Sequence, residues 1–171
     1  MADLDSAFSD DGLLAKAIAG YRARPQQIAM AEAVANAIEA RHKLVVEAGT
    51  GTGKTYAYLV PALLSGGKVI VSTGTKTLQD QLFNRDLPTV RAALKVPVTV
   101  ALLKGRANYV CHYHLERAQQ EGRFLSRDDT RHMQKIVSFA RISKSGDKST
   151  CAGVPEQSPV WYQVTSTRDS C

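Results

Sequence analysis

A lysine and a threonine that follow alternating glycines are the residues with the clearest chemical potential. Lys54 and Thr55 end the stretch Glu47-Ala48-Gly49-Thr50-Gly51-Thr52-Gly53-Lys54-Thr55. In a phosphate-binding P-loop, glycines let backbone N–H groups approach a β-phosphate, the lysine reaches the β- and γ-phosphates, and the hydroxyl ligates Mg²⁺. We therefore assign catalytic roles to Lys54 and Thr55. The predicted nucleotide-binding residues are Ala48, Gly49, Thr50, Gly51, Thr52, Gly53, Lys54 and Thr55.

The flanking sequence supports this interpretation of the loop. An apolar run over residues 43–46 predicts a strand before it, and residues 55–60 predict a helix after it, which is the context that a P-loop needs. Ala48 stands where the strict pattern has its first glycine, a mild departure because alanine is the next smallest residue. The alternative is a glycine-rich turn that binds nothing, but the strand–loop–helix context and the Lys-Thr pair favour the P-loop.

Two further runs have the composition of buried strands. Residues 68–72 form a short apolar run rich in β-branched side chains, and residues 96–103 form another, with Pro97 at its start. Helix-like segments follow each of the first two strands, and strands that alternate with helices predict βαβ units. The sequence therefore predicts an α/β fold with a parallel sheet.

A loop rich in hydroxyl groups follows the second predicted strand. It reads Thr73-Gly74-Thr75-Lys76-Thr77, and a helix is predicted to start near Leu78. Such a loop at the carboxyl end of a parallel strand can grip a sugar–phosphate backbone without reading bases. Alternatively, Thr75 or Thr77 simply caps the helix. The residues alone leave these two interpretations evenly matched.

Gln27 is the third candidate feature. It lies in the first turn of a helix predicted from the apolar spacing over residues 26–40, with Pro25 at the helix start. Its amide offers the donor and the acceptor that adenine's N6 and N7 edge requires. Taken alone, Gln27 is better explained as a polar residue without a role; the P-loop that follows raises the functional interpretation.

The C-terminal part of the chain has a different character. Charged residues are frequent over positions 112–141, and helices are predicted over 111–121 and 127–142. Residues 143–158 have a loop-like composition, and the sequence of Val160–Val164 predicts a short strand or a buried turn. We interpret residues 105–171 as an insertion or a second small subdomain. Residues 1–12 are polar and predict a flexible N-terminus.

Composition narrows the class of protein. The 171 residues, 44% of them hydrophobic, suffice for a domain with a core. A net charge of +6 suits a polyanionic partner without requiring one. The sequence has no long apolar run and no signal-peptide pattern, so we expect a cytoplasmic protein without a membrane association, whose three cysteines are reduced or bound to metal.

Four stretches in order resemble one family. They are Arg24-Pro25-Gln26-Gln27, the P-loop, residues 72–82, and Leu103-Lys104-Gly105-Arg106-Ala107-Asn108-Tyr109-Val110-Cys111. Together they resemble the N-terminal part of the DinG/XPD-type iron–sulfur superfamily 2 ATP-dependent DNA helicases, most closely the bacterial YoaA-like branch. The resemblance implies a partial RecA-like lobe over residues 13–104, followed by the start of a mainly helical iron–sulfur insertion domain over residues 105–171.

The resemblance also implies ligands and residue roles. Arg24 and Gln27 match the motif that recognises adenine in ATP, and Cys111 and Cys171 match two of the four cysteines that hold a 4Fe-4S cluster. In the family, ATP hydrolysis with Mg²⁺ drives 5′-to-3′ movement on single-stranded DNA at a fork, in repair or replication. Cys151 does not fit the ligand spacing and is expected to be a packing cysteine. The implied DNA-binding residues are Thr73, Gly74, Thr75, Lys76, Gln79 and Gln81.

Several helicase parts have no counterpart in these residues. The sequence has no Asp-Glu-x-His box, which would supply a carboxylate for Mg²⁺ and orient the attacking water. We therefore expect an N-terminal fragment of a helicase that is inactive alone. The alternatives are a non-catalytic remnant that binds nucleotide or DNA and, less well supported, a P-loop kinase, in which residues 73–82 would have no role.

Overall fold

The computed structural model describes residues 4–167, which divide into two compact units between Leu102 and Leu103. The predicted boundary lay between Lys104 and Gly105; the assignment of the units to a helicase lobe and a cluster domain stays a prediction.

The first unit contains α1 (Leu4–Phe8), α2 (Leu13–Ala17), α3 (Pro25–Ala40), α4 (Lys54–Leu64), α5 (Lys76–Gln81) and α6 (Leu87–Leu94), with a π-helical turn (Leu82–Asp86) between α5 and α6. The second contains α7 (His112–Glu121), α8 (Arg127–Ile142) and α9 (Val160–Val164), with short 3₁₀ turns at Arg106–Asn108 and Lys148–Thr150.

The predicted α/β fold with a parallel sheet is wrong for the described residues. Residues 4–167 contain no sheet; their β structure consists of two isolated bridges, Tyr109 with Asp147 and Val110 with Thr165. The three runs predicted as strands have no regular secondary structure. Val45 in the first run and Ile70 in the second are 96% and 95% exposed, whereas Val96 in the third packs against the core. A β-branched apolar run is stable as a strand only when its backbone pairs with a neighbour and one face packs on a core, and within residues 4–167 none of the three runs has a paired neighbour.

Helices build the core of the first unit. Helix α3 begins at Pro25, whose fixed φ and missing N–H suit a first turn, and ends at Arg41 with a left-handed φ of 53°. The prediction of this helix is confirmed. It packs against α4. The core side chains are Ala7, Phe8, Leu14, Ala31, Ala57, Leu59, Val60, Leu82, Val90, Ala93 and Leu94.

The first helix lies in the polar N-terminal segment. Residues 4–8 form α1, and Phe8 is buried in the core of the first unit, while the flexibility expected of residues 1–12 stays a prediction. The segment is polar in composition, but it contains Phe8, and burial of this aromatic side chain stabilises α1.

The second unit has its own small core. The predicted helices over 111–121 and 127–142 are confirmed, and Ser126 caps α8 by accepting the Asp129 N–H at 3.0 Å. Val160–Val164 was predicted to form a short strand or a buried turn, and it forms a single helical turn whose Val160, Trp161 and Val164 are buried in the core of this unit. Cys151 is buried in the same cluster, as expected of a packing cysteine. Among the described residues, no helix combines the length and apolar composition needed to cross a bilayer.

Candidate nucleotide-binding site

The glycine-rich stretch turns sharply into helix α4. Gly51 and Gly53 have φ values of 77° and 80°, in the left-handed region that favours glycine, and Gly53 is the N-terminal cap of α4. The Thr52 hydroxyl donates to the Gly49 carbonyl at 3.0 Å and closes the turn. The loop thus leads directly to Lys54 and Thr55 in the first helical turn, as the P-loop pattern predicts.

Lys54 folds back onto the loop that precedes it. Its Nζ donates to the half-buried Ala48 carbonyl at 2.8 Å and to the exposed Gly49 carbonyl at 2.5 Å. An ammonium held by carbonyl oxygens at the surface can exchange them for phosphate oxygens, which carry more charge. The arrangement can therefore accept an anionic ligand at the loop.

Thr55 lies next to Lys54 in the first turn of α4, where its hydroxyl lowers the pKa of Tyr58. Burial raises the pKa of Tyr58 against the effect of this hydroxyl, and the charge of Asp86 raises it further. The phenol therefore stays protonated at neutral pH. A hydroxyl in this position is the oxygen ligand that Mg²⁺ prefers, so Thr55 has the chemistry required of its predicted role.

Arg24 and Gln27, whose predicted recognition of adenine stays a prediction, both contact the loop backbone. The Arg24 guanidinium donates to the Gly51 carbonyl, and the Gln27 Nε2 donates to the Gly53 carbonyl at 2.9 Å. Gln27 is only 3% exposed. The structure thus brings these two residues and the P-loop together, and the contacts are with the loop that precedes α4.

Tyr21 completes this site and was missed by sequence reasoning. Its hydroxyl lies 3.1 Å from Gln27 Oε1 and 3.2 Å from the Phe8 carbonyl. Burial raises the pKa of Tyr21, and the charge of Asp10 raises it further while Arg24 lowers it, so the hydroxyl is a donor at neutral pH. A tyrosine six positions from Gln27 has no recognisable motif, and only the packing of the N-terminal helices reveals the contact.

The residues predicted to bind DNA lie around the start of α5. Thr75 caps this helix by accepting the Leu78 N–H at 3.2 Å, and the Thr73 hydroxyl donates to the Thr75 carbonyl. Gly74 and Lys76 are exposed, while Gln81 donates to the buried carboxylate of Asp86 at 3.1 Å. The capping interpretation of Thr75 is confirmed; contact with DNA stays a prediction, which includes Gln79.

Cys111, in the second unit, directly precedes α7 as its N-terminal cap residue. Burial opposes its ionisation, but hydrogen bonds from the Ser166 hydroxyl and from the backbone N–H groups of His114 and Tyr113 hold the pKa of Cys111 below its ordinary value. Burial raises the pKa of Cys151 instead. Within residues 4–167 no group of three or more potential ligands could hold a metal ion, and Cys171 lies outside the described residues.

Comparison with known proteins shows to which family the chain belongs. Residues 24–118 match the family model described as DEAD/DEAH box helicase, which is more than half of the chain. The chain belongs to the DEAD/DEAH box helicase family. This match includes the P-loop, Arg24, Gln27 and the segment at the start of α5.

Individual helicases of this family are similar over nearly the whole chain. The chain is 54% identical to ATP-dependent DNA helicase YoaA of Escherichia coli over 96% of its length, and 48% identical to the protein of the same name from Haemophilus influenzae. It is 40% identical to ATP-dependent helicase DinG of Mycobacterium tuberculosis over 91% of its length. These matches confirm the resemblance recognised in the sequence. The chain spans about a quarter of the length of each of these relatives (26%).

Proposed function

We propose that the chain is the nucleotide-binding N-terminal part of an ATP-dependent DNA helicase, whose hydrolysis of ATP is coupled to 5′-to-3′ movement on single-stranded DNA in repair or replication. The observation that carries this proposal is the placement of Lys54 on carbonyls of the glycine-rich loop at the N-terminus of α4, together with the names of the similar helicases. We expect a cytoplasmic location.

In this proposal each residue of the site has a separate task. The N-terminal N–H groups of α4 and the loop amides would face the β-phosphate. Lys54 would neutralise the β- and γ-phosphate charge, and Thr55 would hold Mg²⁺. The exposed segment at Gly74 and Lys76 would contact the DNA backbone. Because the sequence has no Asp-Glu-x-His box, we expect the 171-residue chain to bind ATP without turning it over.

Equilibrium binding of Mg²⁺–ATP to the chain, measured by calorimetry, tests the nucleotide site. Lys54→Ala should weaken binding by about 10- to 100-fold, the cost of losing hydrogen bonds to a charged group. The matched control is Lys43→Ala, which removes an exposed lysine before the loop and should leave affinity unchanged. Equal losses in both variants, or no binding by the wild-type chain, would refute the site. An ATPase assay with and without single-stranded DNA checks the expected lack of turnover.

We also propose that Cys111 is one ligand of a 4Fe-4S cluster. The support is the set of hydrogen bonds that its sulfur accepts at the N-terminus of α7, since such donors stabilise thiolate ligands. The remaining ligands would include Cys171. Because Cys111 and Cys171 are two of the four thiolates that such a cluster needs, the test uses the longer helicase of which the chain is proposed to be part. After anaerobic reconstitution with iron and sulfide, Cys111→Ser should lower the iron content of that protein, whereas Cys151→Ser should not; similar iron contents in the two variants would count against the assignment.

A further inference from the structure

Asp86 is a buried carboxylate of the first unit to which the proposed nucleotide site gives no role. It is 2% exposed and is the last residue of the π-helical turn between α5 and α6. The Gln81 Nε2 donates to its Oδ2 at 3.1 Å, and the Arg85 Nε donates to its Oδ1 at 3.0 Å. The Arg85 side chain is 68% exposed. Removing a carboxylate from water costs free energy that a largely solvated cation offsets only in part, so a role beyond stability is the better explanation.

The π-helical turn places this charge inside the unit. The Leu87 N–H donates to the Leu82 carbonyl, five residues earlier, so the turn contains one residue more than an α-helical turn. Leu82 and Asp86, the first and last residues of the turn, are both buried. Single π-helical turns within α-helices are frequent at functional sites, and this one directs a carboxylate among apolar core residues.

Asp86 lies at the junction between α4 and the helical segment that runs from Lys76 to Leu94. In that segment α5, the π-helical turn and α6 follow one another without a gap, and α6 packs against α4. Tyr56 and Tyr58 of α4 pack against the core that contains Leu82. Burial raises the pKa of both phenols, and the nearby charge of Asp86 raises both further. Because the Thr55 hydroxyl also acts on Tyr58, this phenol lies within electrostatic reach of both Asp86 and Thr55.

The other end of the helical segment carries the residues predicted to contact DNA. Gly74 and Lys76 are exposed at the start of α5. Gln81, also predicted to contact DNA, is the residue that donates to Asp86. A phosphate backbone bound at this end would shift or fix α5, and the hydrogen bond from Gln81 would transmit that change to Asp86. Rigid helices and hydrogen-bond networks of this kind can carry energetic coupling between two sites.

We propose that Asp86 is a positioning residue that couples the proposed DNA contact at α5 to the nucleotide site on α4, through its hydrogen bond with Gln81 and its proximity to Tyr58. This inference rests on the proposed helicase function and deepens it, because it assigns a residue through which single-stranded DNA changes the affinity for the nucleotide. Asp86 touches neither ligand and acts through the position of α5 relative to α4.

The coupling is measured as the ratio of two affinities. Binding of β,γ-imido-ATP with Mg²⁺ to the chain is determined by calorimetry, with and without saturating single-stranded oligothymidylate. In the wild-type chain DNA should change this affinity by about fivefold or more, and by linkage the analogue should change the affinity for DNA by the same factor. Asp86→Asn keeps the shape of the side chain and removes its charge. The factor should fall toward one, while the affinity measured without DNA changes little. Glu39→Gln, at an exposed position of α3, is the matched control and should keep the wild-type factor.

The possible results separate this inference from the proposed function. The wild-type factor in Asp86→Asn, independent binding of the two ligands to the wild-type chain, or an equal loss of coupling in Glu39→Gln would overturn the inference alone. A wild-type chain that does not bind the analogue, or does not bind DNA, would refute the proposed function itself.

Circular dichroism checks that each variant folds. If Asp86→Asn does not fold, Tyr58→Phe decides, because it removes the hydroxyl that both Asp86 and Thr55 influence. This variant should also lower the coupling factor, and an unchanged factor would overturn the inference.

Discussion

A polar network of the first unit and one of the second unit are built differently. In the first unit, Gln27 and Lys54 donate to backbone carbonyls of the glycine-rich loop. In the second unit, Lys104 Nζ lies 2.9 Å from Asp147 Oδ2, and both side chains are buried. Ser149 donates to the same carboxylate through its N–H at 3.0 Å and its hydroxyl at 2.8 Å.

The two networks differ in the surroundings of their charged side chains. Asp147 and Lys104 satisfy each other inside the protein, together with Ser149, and no ligand can reach them without the unit opening. Burial opposes ionisation of the Asp147 carboxyl, but the hydrogen bonds from Lys104 and Ser149 hold its pKa below the ordinary value. Lys54 instead faces carbonyls of a surface loop. A buried pair of this kind specifies structure, whereas a cation on surface carbonyls is available for exchange with a ligand.

The largest expected effect follows from breaking the buried pair. Asp147→Ala leaves the Lys104 ammonium buried without its counter-charge, which should cost the second unit about 3–5 kcal/mol of unfolding free energy. Trp161, the only tryptophan of the sequence, is 2% exposed in that unit, so its fluorescence during urea unfolding reports on the second unit. Nucleotide affinity of the first unit should not change.

A double replacement provides the control for this prediction. Lys104→Met combined with Asp147→Leu removes both charges and fills the space with apolar side chains, so stability should return toward that of the wild type. If Asp147→Ala costs no more than an exposed substitution, below about 0.5 kcal/mol, then the pair does not specify structure and the contrast between the two networks fails.

Local signals in the sequence predicted the helices well. The apolar spacing after Pro25 marks α3, since periodicity acts within a few residues. The three apolar runs were misassigned as strands because a strand depends on backbone pairing with a distant segment, and composition carries no information on whether that partner is present. Val45 and Ile70 therefore lie exposed in unpaired segments.

In the candidate site, too, the features set by neighbouring residues were predictable from the sequence, and those set by contacts between distant residues were not. The motif identified Lys54, Thr55 and the glycines, because P-loop chemistry requires those residue types at fixed spacing. Gln27 instead contacts Tyr21 and Gly53, the latter 26 positions away. Contacts of this kind arise from the packing of α3 against α4 and are not encoded in any short motif.

A smaller effect, at Gly53, tests whether the network of the first unit is a close fit. Gly53→Ala places a Cβ 2.0 Å from Gln27 Nε2 at a φ of 80°. The left-handed conformation alone should cost about 1–2 kcal/mol for a residue with a Cβ. Gly20 has a φ of 73°, and a Cβ at this position would have nothing within 4 Å. Gly20→Ala therefore measures the backbone cost without a steric clash.

Thermal unfolding followed by circular dichroism should show that Gly53→Ala is less stable than Gly20→Ala by about 1–3 kcal/mol, the usual cost of overpacking. Equal losses would mean that Gln27 moves aside freely, in which case its hydrogen bond does not hold the loop and the first network is looser than the second.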